Sequence, residues 1–147
     1  MMARKQMLIG AAVLVLAASV SGPAAAQGSI KIGELNSYKT FPAFLEPYKK
    51  GWELAVDEVN AAGGVFGRKL EVVSRDDSGN PGEAVRMAEE LLTRENVHFI
   101  MGTFASNVGL AVADFAKQKK VLFIAAEPLT DKIVWEGGNR YTFRLRA

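Results

Sequence analysis

Beyond Ser29, short segments with strand-type patterning alternate with longer segments of helix-type patterning, and this alternation limits the fold more than any other feature. Ile30 to Leu35 alternates apolar and polar residues, as a strand with one buried face does. From about Ala43 to Ala62, Leu45, Tyr48, Trp52, Ala55, Val56 and Val59 recur at three- and four-residue spacing and define one buried helix face. Gly63 and Gly64 supply the left-handed backbone that ends this helix, and Lys69–Arg75 forms a second strand. Asn80, Pro81 and Glu83 read as a helix start, with a cap, a proline where no N–H is needed and a capping-box acid; that helix runs to about Arg94. Val97–Gly102 is a third strand, and Ser106 or Asn107 caps a helix reaching about Lys119. Val121–Ala126 is a continuous apolar strand of the kind buried on both faces. A short helix around Thr130–Trp135 and a strand over Tyr141–Leu145 follow.

Strands separated by helices with short connections predict an α/β fold, a parallel sheet flanked by helices with right-handed crossovers. Ligands in such sheets sit beyond the carboxyl ends of the strands, where the strand order reverses. The loops after the first, third and fourth strands are therefore the ones to search.

The start of the chain has a different character. Arg4 and Lys5 precede an apolar run from Met7 to Val20, then the helix breakers Ser21-Gly22-Pro23 and the small residues Ala24-Ala25-Ala26. This three-part pattern predicts a secretory signal peptide over residues 1–26, cleaved after Ala26, with residues 27–147 exported to the periplasm. The run is shorter than the roughly 20 apolar residues a membrane span requires. Two of the 18 basic residues fall in this leader, which leaves 16 against 16 acidic residues and no net charge. A neutral body lacks the electrostatic footprint that phosphate binding needs, so nucleic acid is not an expected partner. The chain has no cysteine, which removes disulfides, thiolate metal sites and a Cys nucleophile.

No catalytic set assembles. His98, the single histidine, stands beside Phe99 in a strand expected to be buried and reads as a core residue. Asp76 and Asp77 follow the second strand and could hold a divalent cation, but as solvated or capping residues of a loop they need no metal. Gly63 to Gly67 lies after a helix and before a strand, the reverse of a dinucleotide fingerprint, and reads as a turn. The loop Gly102 to Asn107 differs, because it joins a strand to a helix N-terminus, where free N–H groups and the dipole attract anions. Thr103, Ala105, Ser106 and Asn107 are its candidate ligand-binding residues. Ser37 and Tyr38 after the first strand, and Ala126 and Glu127 after the fourth, share the same rim. Glu127 could pair with a ligand ammonium or amide.

The segments KIGELNSY (31–38), GWELAVDEVNAAGGVFGRKLEVVSRDDSGNPGEAV (51–85), GTFASNVGLAVADFA (102–116) and YTFRLR (141–146) resemble the periplasmic solute-binding proteins of branched-chain amino-acid ABC transporters. The resemblance implies a type I periplasmic-binding fold, two lobes closing on a small-molecule ligand without catalysis or cofactor, and delivery to an inner-membrane ABC permease. By position it implies that Ser106 is the carboxylate-binding hydroxyl and that the Ala126 backbone contacts ligand. Pro128 stands where the family often has a hydroxyl, and Asn36 to Phe41 replace a small Gly-Pro-containing segment, so an amino acid, an amide or an aromatic or aliphatic carboxylate is allowed. A ligand-sensing receptor domain of the same fold and an exported metal-dependent α/β enzyme are the alternative readings. The resemblance further implies that residues 27–147 form the first part of lobe one. Half a clamp cannot exclude water, so this segment alone is expected to bind ligand weakly. Calorimetric titration of purified residues 27–147 checks this, and tight saturable binding is the contrary result.

Overall fold

The computed structural model describes residues 28–146, so the expected signal peptide and its cleavage point lie outside the described residues. Five strands, β1 (Ile30–Asn36), β2 (Leu70–Asp76), β3 (Phe99–Gly102), β4 (Phe123–Ala125) and β5 (Thr142–Arg144), form one sheet in the order β2-β1-β3-β4-β5. All neighbouring pairs are parallel. The crossovers are α1 (Pro42–Ala61), α2 (Pro81–Thr93) and α3 (Ser106–Lys119), and a 3-10 turn (Asp131–Ile133) lies between β4 and β5. This is the parallel α/β arrangement that the patterning requires. The strand order reverses at β1, so the crevice between the carboxyl ends of β1 and β3 is the expected ligand position. Among the described residues, no helix is long and apolar enough to cross a membrane.

Register separates the two faces of the sheet. Leu35, Ile100, Phe123 and Ala125 point to one side and pack with Ala84, Ala88 and Leu91 of α2 and Val108, Val112, Phe115 and Ala116 of α3. Burying a Leu side chain such as Leu91 contributes about 1.5–3 kcal/mol. Ile32 and Glu34 point to the other side, under α1: Trp52 Nε1 donates to Tyr38 Oη, and Tyr38 Oη donates to Glu34 Oε1. Leu45 is the buried residue of α1; Tyr48, Trp52, Val56 and Val59 are half-buried, and Ala55 is exposed. The spacing located the inward face of this helix but overstated its burial. The described residues place only α1 over that side of the sheet, and it lies over β1 and β2.

Local chemistry sets several boundaries. Asn80 caps α2 as expected, its Oδ1 accepting from Gly82 and Glu83 N–H at 2.8 and 3.1 Å. The left-handed backbone after α1 is present at Gly63 and Gly64, with φ of +104° and +79°. His98 departs from expectation. It is exposed and precedes β3, and its Nδ1 accepts from Lys31 N–H at 3.0 Å, which extends the β1–β3 edge by one contact.

At Gly102 the chain requires glycine. Its φ is +114°, and a Cβ there would lie 2.4 Å from the Leu35 carbonyl oxygen. Gly102→Ala is expected to lower stability by about 2–3 kcal/mol, the cost of strain at a forbidden backbone position. Urea denaturation measures this as a fall in midpoint at unchanged slope.

Candidate functional site

A cleft of about 710 Å³ opens at the carboxyl ends of β3 and β4, within the range of small-molecule sites. Three elements build it. The first turns of α1 contribute Phe44, Pro47 and Tyr48. The β3–α3 loop and the first residue of α3 contribute Phe104, Ala105 and Ser106, and the far side carries Glu127, Leu129 and Arg146.

The start of α3 is not capped as its sequence predicts. Ala105, with extended backbone, is the N-cap, no side chain caps it, and Ser106 is the first helical residue. The first helical hydrogen bond runs from Gly109 N–H to the Ala105 carbonyl at 2.9 Å. The N–H groups of the first turn before Gly109 therefore lack intrahelical partners, and Ala105 and Ser106 of this helix start line the cleft. The positive end of a 14-residue helix favours an anion there. Gly109 lets the β4 loop approach, since a Cβ at that position would meet Pro128 Cγ at 2.6 Å.

The opposite wall is aromatic. The Phe104 ring lies 4.7 Å from Phe41 and 5.5 Å from Phe44, both tilted pairs. Tyr48 adds a phenol held above its ordinary ionisation range by burial first and by the nearby Glu34 and Glu127 charges second, so it remains a neutral donor. Glu127 Oε2 accepts from Arg146 Nη1 at 2.8 Å across the third wall.

The structure brings Ala105, Ser106 and Glu127 together, and the other residues expected at the site stand elsewhere. Thr103 is fully buried behind the loop with φ of +60° and a hydroxyl without a partner. Asn107 is exposed beyond the lining, and the Ala126 N–H is spent on the Gly102 carbonyl at 3.0 Å. Ser37 and Tyr38 are drawn into a polar layer next to the site. Ser37 Oγ donates to Asp77 Oδ1 at 2.5 Å, and Tyr38 Oη and Ser74 Oγ donate to Glu34 at 2.9 and 2.6 Å. Phe44, Pro47, Tyr48, Leu129 and Arg146 also line the cleft without a motif that marks them in the sequence, and Phe104 lies within the loop that the sequence points to. The aromatic residues on both sides of the crevice, Phe41, Phe44 and Phe104, were the one signal that could have found them.

The acids at the end of β2 serve the turn. Asp76 accepts from Lys39 and Ser78 N–H at 3.0 and 2.8 Å, and Asp77 accepts from Ser37 and Gly79. Among the described residues, no three His, Cys, Asp or Glu side chains gather as a metal-binding group.

A parallel sheet whose reversal point carries an uncapped helix N-terminus facing an aromatic wall defines an α/β lobe with a cleft at the carboxyl ends of its strands. Residues 29–147 match the periplasmic binding protein family, and the chain belongs to it. It is 34% identical over 125 residues to Leu/Ile/Val-binding protein homolog 7 of Brucella suis biovar 1, an alignment covering 84% of this chain and 31% of that protein. The chain thus spans about a third of the length of the curated relatives it matches. A branched-chain amino acid transporter substrate-binding protein of Streptococcus pneumoniae, solved with isoleucine, superposes with a TM-score of 0.69 at 30% identity over 79% of this chain and 33% of that one. A Rhodopseudomonas palustris ABC-transporter solute-binding protein, solved with benzoate, gives 0.72 at 27% identity over 80% and 32%.

The layer beside the cleft should be visible in the pH dependence of stability. Burial raises the carboxyls of Glu34 and Asp77 above their ordinary values of 4.5 and 3.8, against the lowering effect of the hydroxyls of Ser74 and Ser37 respectively. The folded chain therefore holds these protons more firmly than the unfolded chain. Their contribution to stability rises as pH falls from neutral toward the ordinary carboxylate range and levels off below it. Glu34→Gln removes the buried charge, and its neighbours' hydroxyls can turn to meet the amide. It is expected to melt at higher temperature than wild type at pH 7.5 and to show a flatter melting-temperature profile between pH 7.5 and 4.5. An unchanged profile would exclude Glu34 as a contributor.

Proposed function

We propose that this chain supplies the ligand-gripping part of the first lobe of a periplasmic solute-binding component of an ABC uptake transporter, taking amino acids or related small carboxylates or amides. The arrangement of Ser106, the uncapped start of α3 and the aromatic wall around one cleft carries this reading. A carboxylate placed there gains charge-assisted hydrogen bonds from N–H groups already fixed by the helix. The lining residues hold and orient a ligand without a nucleophile–base pair, so binding is reversible and unaccompanied by turnover. Relatives solved with isoleucine and benzoate support the substrate range. The partner is an inner-membrane permease, and export by the segment ending at Ala26 brings the protein to it. Ser37, Tyr38, Thr103 and Ala126 support the cleft from behind in this reading and Asn107 stands exposed beside it, while Ala105, Ser106 and Glu127 face the ligand.

Calorimetric titration of the full-length protein with a panel of amino acids and small carboxylates tests it. At least one is expected to bind with a single site, and Ser106→Ala is expected to weaken it about tenfold, the loss of one charge-assisted hydrogen bond. No binding across the panel, or undiminished affinity in the variant, would count against the assignment.

A further inference from the structure

We propose that the cleft selects arylcarboxylates, planar acids without an α-ammonium group, and that the Glu127–Arg146 ion pair discriminates against amino acids. This rests on reading the cleft as the solute site. An amino acid brings one carboxylate and one ammonium, so its site needs a free acceptor as well as an anion cradle. The cradle is present at Ser106 and the start of α3. The acceptor is not free. Glu127, the one carboxylate in the lining among the described residues, is already paired with Arg146 at 2.8 Å. An ammonium beside Glu127 would lie against that guanidinium. The next two residues add little: Pro128 brings no hydroxyl, and the Leu129 carbonyl already accepts from Arg144 at 3.2 Å.

The charge balance favours the same ligand. Glu127 and Arg146 cancel, and the N-terminus of α3 adds roughly half a positive charge. A ligand with net negative charge is favoured over a zwitterion. Arg146 has spent one of its terminal nitrogens on Glu127, and a guanidinium carries five N–H donors, so it can also serve an anion. The shape of the remaining space points to a flat ring. Phe44 is 67% exposed at the cleft, and its ring lies within 30° of the Phe104 plane, so the aromatic surface is open for offset stacking.

Four acids tested by calorimetry on the full-length protein separate the parts of this proposal. 3-Phenylpropanoate and L-phenylalanine differ only by the ammonium; benzoate and cyclohexanecarboxylate differ only by aromaticity. 3-Phenylpropanoate is expected to bind at least about tenfold more tightly than L-phenylalanine, as an ammonium left unpaired requires. Benzoate is expected to bind more tightly than cyclohexanecarboxylate. In Arg146→Gln, Glu127 is left free to attract an ammonium and repel an acid, so the preference for 3-phenylpropanoate should fall to parity or reverse. Equal or tighter binding of L-phenylalanine overturns the inference and leaves the solute-binding reading intact. A preference unchanged in Arg146→Gln overturns the role of the ion pair, and cyclohexanecarboxylate matching benzoate overturns the aromatic selectivity. Failure of all four to bind at millimolar concentration overturns the inference; if the wider panel of amino acids and carboxylates also fails, the reading it rests on falls too.

Discussion

Gly102 and Thr103 leave β3 with left-handed backbone, and the Thr103 N–H donates to the Leu35 carbonyl at 2.7 Å. This contact ties the end of β3 to the end of β1 at the point where the strand order reverses. The Gly102 carbonyl then accepts from the Ala126 N–H, which joins β4 to the same seam. With both loops fixed to one backbone track, Ala105 becomes the N-cap of α3 and Ser106 its first residue. The anion cradle therefore depends on a backbone path that only glycine enters without strain at residue 102.

The polar layer beside this seam has an energetic cost. Glu34, Asn36, Ser37, Asp77 and Thr103 are all buried, and Asp77 Oδ2 and Thr103 Oγ1 lack partners among the described residues. Each such group costs about 1–3 kcal/mol if nothing satisfies it. The apolar face under α2 and α3 offsets this, because it is closed by two helices with fully buried Leu91, Ile100, Val108, Val112 and Phe123. The α1 side is less complete. Leu122, Phe143 and Leu145 there are 37, 57 and 71% exposed, unusual for a parallel sheet, whose strands are normally covered on both faces. Stability is concentrated on one face and ligand chemistry at one edge.

Local patterning was enough to find every strand and helix, because each signal used lies within one element or its cap. Asn80, Gly63 and Gly64 act through neighbours a few residues away and were read correctly. Readings that depended on distant partners were not. The polar side chain of Glu34, in an alternating strand, looks solvent-facing, yet Ser74 and Tyr38 meet it inside the fold. His98 appeared buried beside Phe99, but its ring lies at the exposed start of the sheet, where Lys31 and Arg68 surround it. Ser106 had the chemistry of a cap, and the path from Gly102 placed it one residue too late to be one. Arg146 reaches the cleft only because β5 pairs beside β4, a consequence of topology that no local period contains.

The three walls are held by different means, and all of them are fixed before ligand arrives. Thr40 and Phe41 N–H both donate to the Ser37 carbonyl, a tight turn that sets the start of α1 and hence Phe44 and Tyr48. The Gly102 backbone fixes the α3 wall, and Pro128 seated on Gly109 fixes the β4 loop. A cleft so pre-formed loses little entropy of its own on binding, and selectivity then resides in side-chain chemistry rather than in loop ordering. Within it, Glu127 and Arg146 are joined at the exposed rim by a pair whose partners are 22 and 55% accessible. Rim pairs of this kind contribute little to stability. Their consequence is local, in the charge presented at the rim of the cleft rather than in the core.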